Sequence, residues 1–183
     1  MILGVTGFFA SGKDSVAGIL MRKGFQHVSL SDMIREEIRQ RGEEVTIPRL
    51  TQVGNELRTQ FGPQVLAERA LNHLTGVSQA VVTSIRHSGE VQALRARPDF
   101  TMVFVDAPIR VRYERSLDRA RQGDPVTFEE FAAAEAQQMR NGDPNSQQLQ
   151  ACKEMADSIL LNDGPLETLE ERLDGLLAQL EER

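Results

Sequence analysis

The chain opens on a short apolar run, Ile2-Leu3-Gly4-Val5-Thr6, followed by Gly7-Phe8-Phe9-Ala10-Ser11-Gly12-Lys13-Asp14-Ser15 and then at once by a helical pattern. Strand, glycine-bounded loop and helix in that order make a P-loop layout, and few other architectures accommodate it. A glycine-lysine pair in an ordinary loop would carry no such meaning. The layout departs from the common form at one place: Asp14 stands where Ser or Thr usually follows the lysine, and the hydroxyl comes one residue later at Ser15.

The spacing has a chemical reason. Gly7 and Gly12 let the backbone curl without side-chain clashes, so that successive N–H groups converge on phosphate oxygens. The helix that follows adds the partial positive charge of its N-terminus. Lys13 is expected to reach the β- and γ-phosphates of a nucleoside triphosphate, with the loop from Gly7 through Phe8, Ala10, Ser11 and Gly12 to Asp14 and Ser15 as the ATP cradle. Mg²⁺ is expected near Asp14, directly or through water, or near Ser15 after a small shift; the residues alone leave these open.

Strand-like and helix-like segments alternate to the end of the chain. Strands are expected at Leu3–Thr6, His27–Leu30, Ala80–Ile85, Phe100–Val105 and Ser158–Leu161. Helices are expected at Lys13–Met21, Asp32–Arg41, Pro48–Phe61, Pro63–Leu74, Gly89–Arg97 and Pro108–Arg121. Thr127 and Glu130 form a capping box for a further helix. Gly123-Asp124-Pro125 and Asn141-Gly142-Asp143-Pro144-Asn145 read as breaks. Leu166, Leu169, Leu173, Leu176 and Leu180 form one helical face, too short a stripe for a coiled coil and suited to packing on a sheet. The pattern predicts an α/β fold: one domain over 1–183 with a five-stranded parallel sheet and helices on both faces.

Composition excludes several classes. A net charge of −6 argues against a general nucleic-acid surface, while leaving room for a local basic pocket. Cys152, the only cysteine, shares a helical face with Leu149 and Met155 and reads as a buried apolar residue. His27, His73 and His87 show no metal-ligand spacing. There is no long apolar span and no basic leader, so a cytoplasmic protein without membrane attachment, monomer or homodimer, is expected.

In parallel sheets of this kind ligands bind at the carboxyl ends of the strands. After the second strand, Ser31 or Asp32 can cap a helix, and Arg35 one turn on suits a phosphate monoester, with Asp32 facing the same space. After the third, Arg86 ends a buried strand, a costly place for a guanidinium without an anion; His87 reads as a surface or packing residue. After the fourth, Arg112, Arg115 and Arg119 share a helical face that leads into the break at Gly123, so an arginine-bearing lid is expected at about 112–145. Asn162-Asp163-Gly164 is either a turn or a loop that holds a purine. Asn55, Glu56 and Arg58 are either solvated or read a base or ribose.

Taken together, these residues resemble the P-loop nucleoside monophosphate kinase group, and most of all adenylate-kinase-related proteins. Gly12-Lys13-Asp14-Ser15 is similar to phage-type deoxynucleoside monophosphate kinases and animal phosphomevalonate kinase, where Asp also follows the lysine. Asp32-Met33-Ile34-Arg35 resembles the adenylate kinase segment whose arginine binds the acceptor phosphate, and Ser84-Ile85-Arg86 resembles its strand-end arginine. The arginine helix from Arg112 resembles the lid, and Asn162-Asp163-Gly164 the adenine loop of dephospho-CoA kinase. The resemblance implies ATP and Mg²⁺ as cofactors and a small phosphorylated acceptor in helices about 32–75. Lys13, Asp32, Arg86, Arg115 and Arg119 would be catalytic. Arg112, Asn162 and Gly164 would bind ATP, and Asp32, Arg35, Arg58 and Arg86 the acceptor. Asp32 would take a proton were the acceptor a hydroxyl. Two other classes share such a loop: a regulatory or assembly ATPase, and a kinase of modified bases in DNA, the second disfavoured by the acidic charge.

Overall fold

The computed structural model describes residues 1–119, 127–139 and 148–182. Its elements run β1 (Ile2–Gly7), α1 (Lys13–Arg22), β2 (Gln26–Ser29), α2 (Leu30–Gln40), α3 (Ile47–Phe61), α4 (Val65–His73), β3 (Ala80–Thr83), α5 (Ser88–Leu94), β4 (Phe100–Asp106), α6 (Ile109–Arg119), α7 (Phe128–Met139), α8 (Leu149–Glu154), β5 (Ser158–Leu161) and α9 (Leu166–Glu181). The five strands form one parallel sheet in the order β2-β3-β1-β4-β5. That is the expected α/β architecture.

The two-residue period of a strand sends alternate side chains to opposite layers. Ile2, Ala80, Val82, Phe100 and Met102 pack against α2, α3, α4 and α5. Leu3, Val5, Val81, Val103 and Val105 pack against α1 and α9. Both faces are therefore covered, which is why the strands read as unbroken apolar runs. Gly4 is required within β1, because a Cβ there would come within 2.6 Å of the Phe100 ring.

The leucine stripe of α9 faces the sheet through Leu169 and Leu173, both buried, while Leu166 is half exposed and falls off that face. Burying a leucine contributes about 1.5–3 kcal/mol, and Leu176, Leu177 and Leu180 add partly buried contacts to the same layer. Cys152 lies in the first core layer, and burial pushes its thiol up to about 12, as a packing residue requires.

Several boundaries shift from expectation, α5 ending at Leu94 and not Arg97 among them, and three of the shifts have a local cause. β3 stops at Thr83 because Ser84 adopts φ +62°, outside the extended region. α2 starts at Leu30, with Ser29 and not Ser31 or Asp32 at the N-cap position, and without a side-chain capping bond. α4 starts at Val65, because Gly62 turns the chain at φ +95° and Pro63 packs on the start of α5, where a Cβ on Gly89 would lie 2.9 Å from the proline Cβ. The Thr127–Glu130 capping box forms as expected, with bonds of 3.1 and 3.2 Å. The expected breaks at 123–125 and 141–145 lie outside the described residues, as does much of the 112–145 lid. Among the described residues, no helix is long and apolar enough to cross a membrane.

Candidate functional site

β1 delivers the loop to the carboxyl edge of the sheet. Gly7 pairs with Val105, and a Cβ on it would sit 2.2 Å from the Val105 carbonyl oxygen. Ala10 (φ +57°) and Gly12 (φ +93°) both turn left-handed, which curls the loop back on itself, and the Ser11 N–H donates to the Phe8 carbonyl at 3.2 Å. Phe8 packs edge-on against Phe104 with ring centroids 5.0 Å apart, so only its backbone belongs to the loop surface. Gly12 caps α1 without a side chain, and Lys13 is the first helical residue. The buried Ser11 Oγ has no hydrogen-bond partner among the described residues.

Asn162 buttresses the loop. Its Nδ2 donates to the Ser11 carbonyl at 2.8 Å and occupies the space a Cβ on Gly12 would need. Arg115 holds Asn162 in turn, donating to its carbonyl at 2.9 Å, its Oδ1 at 3.3 Å and the Gly164 carbonyl at 3.2 Å. Arg112 is buried: it donates to the Ala107 carbonyl at 2.8 Å and to both carboxylate oxygens of Glu135, one at 2.9 Å, and it lies over the Phe8 ring. Both arginines thus brace the loop's surroundings. Arg119 ends α6, and its side chain lies outside the described residues.

Beside the loop a cleft of about 380 Å³ opens between α1, α2, α3 and the end of β3. Lys13, Arg35, Arg58 and Arg86 line it, against a single carboxylate, Asp14. On a chain of net charge −6 this concentration of cations is local and selects for an anion. Apolar side chains from Phe9, Ile34, Ile47, Leu50 and Leu66 complete the wall. Ser15 is exposed and is not part of that wall.

The guanidinium of Arg86 makes no hydrogen bond or ion pair among the described residues, although it is half-buried. Burial pushes it below the usual arginine value, Arg58 adds to the fall, and Glu90 and Asp14 oppose it. Arginine starts so high that it stays a cation. Arg35 donates to Asp32 at 2.8 Å and to Ser31 Oγ at 2.5 Å; Ser31, Ser29 and Ser84 form a hydroxyl cluster with contacts of 2.9, 2.9 and 3.4 Å. Thr6 Oγ1 donates to the Ile85 carbonyl at 2.6 Å and ties this corner to β1.

Asp32 sits elsewhere than expected, and of the two readings open for Glu56 the surface one applies. Asp32 does not face the cleft: α2 begins two residues before it, and its carboxylate is exposed, held against Arg35. Glu56 pairs with Arg41 at 2.7 Å, outside the cleft wall. Arg58 is not solvated but buried against Glu90, which is also buried. His87 is a packing residue, its Nδ1 accepting from the Gly89 N–H at 3.0 Å to cap α5. Glu90 is the participant that sequence reasoning missed. Its only signal was its place three residues after His87, where a capping-box glutamate stands.

For a magnesium ion the residues offer the Asp14 carboxylate and the Ser15 hydroxyl, oxygen donors of the right kind. No cluster of three or more His, Cys, Asp or Glu suited to a metal occurs among the described residues. Such an ion would therefore take most of its ligands from water and phosphate.

No family profile matches the chain. A UPF0200 protein from Thermococcus gammatolerans is 32% identical over 187 residues, spanning 98% of this chain and 95% of that one. The chain belongs to the UPF0200 family. Its fold is that of the P-loop kinases. Shikimate kinase from Bacteroides thetaiotaomicron superposes with a TM-score of 0.61 at 15% identity, covering 97% of this chain and 98% of that one. Dephospho-CoA kinase from Campylobacter jejuni superposes with a TM-score of 0.53 at 14% identity, covering 98% and 96%.

Proposed function

We propose that this member of the UPF0200 family is an ATP-dependent phosphotransferase of the nucleoside monophosphate kinase type. The observation that carries the reading is the half-buried Arg86 guanidinium, unpaired among the described residues, on a cleft wall shared with Lys13 and Arg35. A guanidinium kept out of water without an acceptor is costly, and a bound oxyanion removes that cost.

In this reading the Gly7–Ser15 loop and Lys13 hold the donor phosphates. Asp14 or Ser15 would help hold Mg²⁺, which when bound neutralises phosphate charge. Asn162, braced by Arg115, keeps the loop closed around the donor, and Gly164 lies beside the space for its base. Arg35 and Arg86 grip the acceptor phosphate, and Arg58 backs the same wall. An acceptor phosphate oxygen attacks the γ-phosphorus while the bond to the β–γ bridging oxygen breaks, releasing ADP. Lys13, Arg86 and the lid arginines including Arg119 offset charge on the transferred group. A phosphate arrives already ionised and needs no general base. This agrees with a cleft whose one lining carboxylate, Asp14, sits at the loop, and with Asp32 turned outward. An alcohol acceptor of the dephospho-CoA kinase kind would find no carboxylate on the cleft wall other than Asp14 among the described residues. The apolar wall from Ile34, Ile47 and Leu50 suits the flat face of a base.

The test is a panel of ribo- and deoxyribonucleoside monophosphates with ATP and Mg²⁺, read as ADP formed. Acceptor-dependent ADP is expected. Slow hydrolysis indifferent to every acceptor would point to a regulatory ATPase instead.

A further inference from the structure

Glu90 is fully buried between two arginines, Arg58 and Arg86. Coulomb attraction alone would draw both guanidinium groups onto it. Instead the carboxylate is divided. Oε1 accepts from Arg58 Nε at 3.1 Å and Nη2 at 2.8 Å. Oε2 accepts from the backbone N–H groups of Arg86 at 2.8 Å and His87 at 3.1 Å. These donors fill the lone-pair directions of a carboxylate, so nothing remains for the Arg86 side chain. The Arg86 carbonyl is also occupied, accepting from the Gln148 N–H at 2.7 Å. The backbone of Arg86 is thus fixed at both polar groups while its guanidinium, among the described residues, binds nothing.

We propose that Glu90 is a positioning residue for the acceptor site: by pairing with Arg58 and pinning the Arg86 backbone, it reserves the Arg86 guanidinium for an incoming oxyanion. A helix cap needs only Oε2, and a charge partner for Arg58 needs only Oε1; the two together account for Arg86 being left unpaired. The proposal rests on the reading of the cleft as an oxyanion acceptor site.

Two double variants isolate the anchor, because both remove the Arg58–Glu90 pair together and leave the same net charge beside Arg86. In Arg58→Met/Glu90→Gln the amide oxygen still accepts from the Arg86 and His87 N–H groups. In Arg58→Met/Glu90→Leu nothing accepts them. Full-length protein is saturated with ADP and Mg²⁺ to fill the donor side, and inorganic phosphate is titrated by ³¹P NMR. Phosphate binding about tenfold weaker in the Leu variant than in the Gln variant is expected, as for loss of a well-placed charged hydrogen bond. ADP affinity should be the same in both, which a general loosening of the fold would not give. Equal phosphate affinity in the two variants, with phosphate binding intact in the wild type, overturns this proposal alone. A wild type that binds no phosphate overturns the acceptor-site reading as well. Should the Leu variant not fold, hydrogen exchange in the wild type decides: the Arg86 and His87 amides should be protected, and exchange as fast as in exposed loops overturns the anchor.

Discussion

Arg86→Met separates function from stability in opposite directions. The substitution keeps an apolar stem in the cleft wall and removes a guanidinium that is half-buried and unpaired among the described residues. A charge-assisted hydrogen bond from such a group contributes about 1.5–3 kcal/mol, so acceptor KM should rise about 10- to 150-fold. KM for ATP should change less, because the loop amides and Lys13 that hold the donor in this reading are untouched. Stability should behave differently from most arginine losses. No ion pair is broken, and a cation poorly served by solvent disappears, so the melting temperature should hold or rise. For a chain of this length 1 kcal/mol corresponds to about 2–4 °C. The assays are steady-state kinetics with each substrate varied and a thermal melt without ligands. A melting point lowered by more than about 4 °C, which corresponds to at least 1 kcal/mol lost, would show that Arg86 supports the fold. An unchanged acceptor KM would show that it does not meet the acceptor.

Other outcomes follow from the same geometry. Arg58→Met leaves Glu90 buried without its charge partner and should cost about 3–5 kcal/mol, read by urea denaturation; a loss under 1 kcal/mol would contradict the burial described. Asn162→Ala removes the bond to the Ser11 carbonyl and the Oδ1 contact with Arg115, leaving the Arg115 bond to the Asn162 carbonyl in place. It should weaken ADP binding about tenfold by calorimetry while leaving acceptor affinity in place. Glu37, Glu43 and Glu56 are held below the usual carboxylate range, chiefly by hydrogen bonds from Arg69, Arg49 and Arg41 respectively. Their contribution to stability is present above the ordinary glutamate range and is lost as pH falls through that range and below. Urea midpoints measured from neutral to acid pH should therefore fall less steeply in Arg41→Gln than in the wild type.

The sequence carried the fold in the places where the signal is local. Strand β1, the glycines of the loop and Lys13 form one contiguous motif, and β4 and β5 are marked by their apolar runs. It also singled out Arg86, because a cation at the end of a buried strand is conspicuous in one dimension, and Arg35 by its place one turn into the helix after the second strand. What it could not carry depended on partners far along the chain. Arg58 and Glu90 are 32 residues apart, and Arg112 and Glu135 are 23 apart, so neither pair has a spacing to read. Arg112 looked like a lid residue because helix periodicity shows which face an arginine occupies, not which carboxylate meets it. Asp32 is near Arg35 in sequence, as expected, but its exposed carboxylate accepts from the Arg35 guanidinium and does not line the cleft. Ser84 gave no warning of its left-handed backbone, a conformation usually left to glycine or asparagine.

The central claim is that the Gly7–Ser15 loop and Lys13 grip a polyphosphate. Calorimetric titration of ATP and Mg²⁺ into the wild-type protein and into Lys13→Met tests it most directly. Saturable binding at one site is predicted, weakened by about tenfold or more when the ammonium group is removed. No binding to the wild type, or equal affinity in both proteins, would contradict it.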